Sequence, residues 1–240
     1  MSFTIATQHL TKDYGVLRAI DDLSFTAASG EIIALLGPNG AGKSTLMNMI
    51  TGYLAPTSGN IFVLGRNIRN DALFAKTSIG FLPEGAPLYP DMTVGNFLRY
   101  MAELRGLPAA QVTQAAEIAN ITQVMRQKIE TLSKGYLRRV GFAQSILSNP
   151  PILLLDEPTD GLDPNQKAHI RGLITQMGQQ KTILISTHLL EEAETVCNRI
   201  ILMNRGKIMA DGSCAEIVAR TGCQTLAEAF RKLTASEEEN

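Results

Sequence analysis

Apolar residues recur along this chain in two rhythms. Near the start they come in short alternating runs bounded by turn residues, and FTIATQHL, IDDLSFTA and EIIALLG predict β-strands. NIFVLG and SIGFLP predict two more. Between these groups, after GPNGAGKST, the spacing of Leu46, Met49 and Ile50 predicts a helix closed by Gly52. From about Asp91 to Leu147 helix formers take over. Val94, Phe97, Leu98, Met101 and Leu104 mark one helical face. A second helix is expected from Pro108 to about Asn120 and a third from Ser133 to Leu147. After Pro150 strand and helix alternate again: PILLLDEP, a helix from Asn165 to Met177, KTILIST, a helix over HLLEEAETV, and a hairpin of RIILMN with GKIMADG. Short helices follow. LAEAFRKL reads as amphipathic, able to pack on the body or to serve dimerisation, and the acidic tail SEEEN is expected to fray.

This order describes an α/β body interrupted by a helical insert. The apolar run ILLL before Asp156 suits a parallel strand buried on both faces. Ligands of such sheets sit beyond the carboxyl ends of the strands.

Composition narrows the function. Lys and Arg total 22 against 23 Asp and Glu, a net charge of −1, so no electrostatic pull toward nucleic acid is expected. No run approaches the roughly 18–20 apolar residues of a membrane-spanning helix, and the N-terminus does not read as a secretory signal. Cys197, Cys214 and Cys223 lack C-x-x-C spacing and are expected to be reduced thiols without metal. His9, His169 and His188 lie far apart and show no ligand spacing.

Two stretches carry chemistry. Gly37, Pro38, Asn39, Gly40, Ala41, Gly42, Lys43, Ser44 and Thr45 match G-x-x-x-x-G-K-[ST] between a strand and a helix. The glycines let successive N–H groups converge on a phosphate, and the helix turns its positive end to the same anion. Lys43 is placed to reach the β- and γ-phosphates and Ser44 to offer a hydroxyl to Mg²⁺. In ILLLDEP, Asp156 ends the strand and is suited to hold Mg²⁺ through water. Glu157 beside it is suited to activate a water for attack on the γ-phosphate.

GPNGAGKST, LSKGY, ILLLDEP, TDGLDP and the histidine of STH, in this order, resemble the nucleotide-binding subunit of ABC transporters over nearly the whole chain. The resemblance implies an α/β P-loop NTPase of ABC type with a mixed or parallel sheet core, an N-terminal antiparallel β subdomain and an inserted α-helical subdomain. It implies one ATP-binding domain over 1–240: a core of 1–84 and 149–220, a helical subdomain of 85–148 with the signature, and a C-terminal helix and acidic tail over 221–240. ATP and Mg²⁺ are the implied cofactors, with Lys43, Glu157 and His188 catalytic. Ser133, Lys134 and Gly135, in LSKGY where the family pattern is LSGGQ, would cap the γ-phosphate of ATP held by a second subunit. Tyr14 is implied to stack on adenine, His188 to contact the γ-phosphate, and Asp163 to link the two subunits.

Glu84 stands where many members have glutamine, bringing a third acid toward Asp156, Glu157 and the metal. It either serves the Mg²⁺ or points into the hinge with the insert. GAPLYPDMTV resembles the ABC-2 group, often exporters. The implied partners are a second copy or a homologous ATPase subunit and an integral-membrane permease, without nucleic acid, on the cytoplasmic face of the inner or plasma membrane. The permease is expected in the groove between body and insert, where Leu88, Tyr89 and Met92 either touch it or simply pack the insert. The alternatives are a soluble ABC ATPase acting on nucleic acid or ribosomes, disfavoured by the single cassette and absent heptads, and an inactive partner of a heterodimer, disfavoured by Glu157 and His188.

Overall fold

The hairpin that opens the chain runs further than its apolar pattern. β1 (Phe3–Tyr14) and β2 (Leu17–Ala28) are twelve residues each, because Lys12, Asp13 and Tyr14 continue to pair with Ile20, Arg18 and Leu17 beyond the last core residue. The computed structural model describes residues 3–85 and 87–235; the SEEEN tail, 236–240, lies outside them. β3 (Ile32–Leu36) leads to α1 (Lys43–Ile50), followed by β4 (Ser58–Val63), β5 (Arg66–Asn67), α2 (Ala72–Ser78) and β6 (Ile79–Leu82). The helical insert supplies α3 (Val94–Glu103), α4 (Ala109–Ile118) and α5 (Lys134–Ile146). The core resumes with β7 (Ile152–Asp156), α6 (Pro164–Gly178), β8 (Thr182–Thr187), α7 (Leu190–Val196), β9 (Arg199–Asn204) and β10 (Lys207–Gly212), and α8 (Cys214–Thr221) and α9 (Leu226–Thr234) follow.

Three differences from the sequence pattern have local causes. β5 and α2 are not signalled by apolar spacing. The first is two residues long, and the second depends on the Asp71 carboxylate accepting from the Phe74 N–H. The helix expected over HLLEEAETV begins only at Leu190, because Leu189 donates its N–H to Thr187 Oγ1 and leaves His188 in the loop.

β2-β1-β4-β5 form an antiparallel sheet, and β10-β9-β3-β8-β7-β6 a second sheet that is parallel except at the β10 edge. Every residue of β3, β7 and β8 is buried, as strands covered on both faces must be. Alternation sorts their side chains. Ile33, Leu35, Ile152 and Leu154 pack with α1 and the antiparallel sheet. Leu153, Leu155, Ile183 and Ile185 pack with α6 and with Phe97, Leu98, Val140 and Phe142 of the insert. Ala34 and Leu36 meet α7, α8 and α9. The amphipathic α9 thus buries Leu226 and Ala229 on the body. Removing a leucine side chain from such a core costs about 2–5 kcal/mol.

Candidate functional site

The cavity that gathers most of the expected site residues holds about 400 Å³ at the carboxyl ends of β3, β7 and β8. Its floor is the turn between β3 and α1. Gly42 has φ of +103°, and a Cβ there would stand 2.6 Å from the Ala19 carbonyl oxygen and 2.7 Å from Ile20 Cδ1, so backbone conformation and space both require glycine. No acidic residue occupies the first turn of α1, leaving its positive end free for an anion. The Lys43 ammonium donates to the carbonyls of Gly37 (2.7 Å) and Pro38 (3.1 Å). Burial lowers its pKa, and the nearby Glu157, Asp156 and Glu84 oppose that shift. Asn39, Gly40, Ala41, Ser44 and Thr45 complete the floor, and Tyr14 and Leu17 from the β1–β2 hairpin stand at the rim. Tyr14 is half exposed, with the Lys12 ammonium 5.1 Å from its ring centroid.

Asp156 ends β7 at 3% exposure, opposite Ser186 of β8. Glu157 follows with φ of +50°, a conformation uncommon for a side chain of its size. Its N–H donates to the Ser186 carbonyl (2.9 Å), and its Oε1 lies 2.9 Å from His188 Nδ1. Burial raises the Glu157 pKa; His188 draws it back, Asp156 adds to the rise, and Lys43 opposes it. A half-buried carboxylate whose proton affinity is raised is suited to accept a proton from water. Glu84, just beyond β6, lines the same cavity. The donor set near Asp156 is entirely oxygen: the Asp156 carboxylate, the Ser44 hydroxyl and Ser186 Oγ, which is buried with no hydrogen-bond partner. Hard oxygen donors suit Mg²⁺, which keeps several waters and takes phosphate oxygens rather than a full protein cage.

Ser133, Lys134, Gly135 and Asp163 do not line this cavity. Ser133 caps α5, its hydroxyl accepting from the Tyr136 N–H (3.4 Å). Lys134 faces a different cavity, of about 440 Å³, together with Asp160, Gly161, Leu137 and Glu84. Gly135 abuts α6, where a Cβ would sit 2.6 Å from Gln166 Oε1. Asp163 caps α6 through the Gln166 N–H (2.9 Å). Lys134 and the Lys43 cradle therefore line separate cavities of one chain, with Glu84 on both.

Leu88 and Met92 pack partly buried on the core of the insert. Tyr89 sets its ring edge-on to Phe97 and Tyr100, with centroids 5.9 Å apart in each pair. The groove between body and insert is lined instead by Tyr53, Phe81, Phe97, Met101 and Arg105, and holds about 540 Å³. The three cysteines are unpaired, and burial pushes the Cys197 thiol up to about 12.

Sequence reasoning passed over Arg138 and the Thr159–Glu192 pair. Arg138, on α5, is 6% exposed and donates to the main-chain oxygens of Pro83 (2.8 Å), Glu84 (2.8 Å) and Glu157 (2.5 Å). Thr159 donates to a fully buried Glu192 carboxylate (2.9 Å), joining the turn after Glu157 to α7. The signal available for Arg138 was its place on the side of α5 shared by Gly135, Phe142 and Ser145, where a guanidinium needs a specific reason to be.

A family model described as "ABC transporter" matches residues 20–160. The chain is 34% identical over 227 residues to the linearmycin resistance ATP-binding protein LnrL of Bacillus subtilis (strain 168), covering 92% of this chain and 73% of that protein. It is 37% identical over 221 residues to the Nod factor export ATP-binding protein I of Paraburkholderia xenovorans (strain LB400), covering 90% and 73%. A solved structure described as the ATP binding subunit of an ABC transporter superposes with a TM-score of 0.89 at 27% identity, covering 96% of this chain and 99% of that one.

Proposed function

We infer the function from one premise: the chain belongs to the ABC transporter family, as an ATP-binding subunit that hydrolyses ATP. It works with a separate transmembrane permease, and no described helix is long and apolar enough to cross a membrane. The finer reading is that this chain powers export, as the name of the Nod factor export relative states for that protein, from the cytoplasmic face of the membrane.

The Glu157–His188 pair carries the mechanism, with Glu157 lining the same cavity as Lys43. The glycine-rich turn and the α1 N-terminus bind the triphosphate, and Lys43 leaves its own carbonyls for the β- and γ-phosphate oxygens. Tyr14 at the rim stacks on the adenine. Ser44 and Asp156 would hold Mg²⁺, which would supply positive charge to neutralise the phosphates. Glu84 lines the same cavity and would serve the same ion through water. Glu157 accepts the proton of the attacking water, and His188 orients Glu157 while standing toward the γ-phosphate.

The cap on that phosphate comes from a second copy. Ser133 and its helix end open away from the chain's own cradle, so two copies arranged head to tail would enclose two nucleotides, with Lys134 adding charge and Asp163 near the seam. The permease is seated in the groove of Tyr53, Phe81, Met101 and Arg105, with Tyr89 as a flanking contact.

The test is recovery of this chain from detergent-solubilised membranes with and without ATP and Mg²⁺. A co-purifying multi-spanning protein supports the reading. Ribosomes or nucleic acid in its place would sink it.

A further inference from the structure

We propose that Arg138 is a positioning residue for hydrolysis, clamping the turns that carry Glu84 and Glu157 to the helix that begins at Ser133. The reading rests on the head-to-tail arrangement of the preceding subsection for its functional meaning, but its geometry lies within one chain.

Arg138 is almost wholly buried, yet among the described residues its guanidinium forms no ion pair with a carboxylate. Its terminal nitrogens instead bind three main-chain oxygens, of Pro83, Glu84 and Glu157. The first two belong to the turn after β6, the third to the turn after β7. Those turns deliver two of the three carboxylates of the nucleotide cavity. Asp156, Asp160, Glu157 and Glu84 lie near enough to favour the charged form, against the burial that disfavours it. Burying a cation is expensive unless its donors are used, and the charge-assisted bonds of the two terminal nitrogens to these carbonyls offset that cost, while Nε is buried without a partner.

Glu157 has most need of such a clamp. Its left-handed backbone persists only where neighbours hold it. Its N–H is tied to Ser186, and its carbonyl accepts from both the Asp160 N–H and Arg138. Freed from Arg138, the peptide after Glu157 gains room to rotate, and the carboxylate shifts relative to Lys43 and His188.

The neighbouring Arg139 shows that the basic character of α5 alone does not produce this link. Its guanidinium donates to the Asn120 carbonyl and stacks 4.2 Å over the Tyr136 ring, all within the insert. Arg138 crosses from the insert to the core.

The consequence is a mechanical connection between two nucleotides. The Ser133 end of α5 meets the nucleotide of the second copy, and Arg138 makes the placement of that helix and of Glu157 a single event. A demonstrated element biased by both sites is what coupling requires.

The experiment compares Arg138→Met and Arg138→Lys with the parent, as the chain with its membrane partner. It measures kcat, KM, equilibrium ATP binding and thermal stability. Positioning predicts that Arg138→Met lowers kcat about 10- to 100-fold while ATP binding stays within about twofold, and that lysine restores part of the lost rate. A kcat for Arg138→Met within about twofold of the parent overturns the proposal. Equal losses of rate, binding and melting temperature in both variants overturn it too, as does failure of both to fold, since the role is then structural. If Arg138→Met alone does not fold, Arg138→Lys decides: a lowered kcat with binding retained supports the proposal, and a parental kcat ends it. A parent complex that hydrolyses no ATP overturns the preceding reading, and this one with it, whereas an active parent matched by its Arg138 variants overturns this one alone.

Discussion

The turn at Gly37–Gly42 and the start of α5 at Ser133 are both assigned to phosphate, and they are built by opposite means. The first is deep and costly: glycine at φ of +103°, a buried lysine, a glutamate in left-handed backbone and a serine hydroxyl without a partner. The second is an ordinary helix cap at the surface, with Ser133 in extended conformation and its hydroxyl on the Tyr136 N–H. Strain of the first kind is held in place by surrounding core, so that site is preorganised before any ligand arrives. The second carries no such strain. One chain thus carries a finished half and an unfinished half, and in the proposed head-to-tail pair the second copy would complete it.

Four changes break or sharpen this contrast. Glu157→Gln should strike the finished half hardest. Removing a general base is expected to cost about 10²–10⁴-fold in kcat while ATP binding persists and a closed dimer accumulates, read by single-turnover hydrolysis and size-exclusion chromatography. Unaltered turnover would remove Glu157 from its role. Ser133→Arg should leave ATP binding to the isolated chain intact and abolish ATP-dependent dimerisation, seen by light scattering; a variant that still dimerises would place the cap elsewhere. Tyr14→Ala should weaken ATP binding by about 1–3 kcal/mol, the worth of stacking a base on an aromatic ring. Calorimetry showing an unchanged affinity would assign the ring to the hairpin alone. The mildest change is Ser133→Ala, which keeps the helix end open but removes its cap. Its expected cost is about 1 kcal/mol of stability in denaturant unfolding. A much larger loss would mean the two halves are not built so differently.

The same contrast explains what the sequence made legible. The parallel core could be read because ILLL before Asp156 and the ILIS run of β8 are continuous apolar strands, a pattern set by burial on both faces. GPNGAGKST could be read because every requirement of a phosphate turn is met by contiguous residues. α2 escaped because a seven-residue helix started by one aspartate has too few turns to show a period. The start of the helix after His188 escaped because it is decided by a Thr187 side chain, not by propensity. Arg138 could be seen in LRRV on the helix side of Gly135, Phe142 and Ser145, which hints at burial but names no partner. Its partners lie at positions 83, 84 and 157, and nothing along the chain announces that three carbonyls from two distant turns converge on it. The groove between body and insert was anticipated with Leu88, Tyr89 and Met92 either touching the permease or packing the insert; Leu88 and Met92 pack on the core of the insert, and the lining of the groove comes from residues such as Tyr53, Phe81 and Arg105.

Arg138 grips main-chain oxygens, and a main-chain oxygen stays the same whatever side chain its residue bears. Position 84 is therefore editable. An amide in place of the Glu84 carboxylate would change the acidity of the nucleotide cavity without loosening the turn that presents it. The scaffold and the chemistry it displays are separable at this point, so the charge beside the nucleotide can be retuned by a single substitution that asks nothing of the fold.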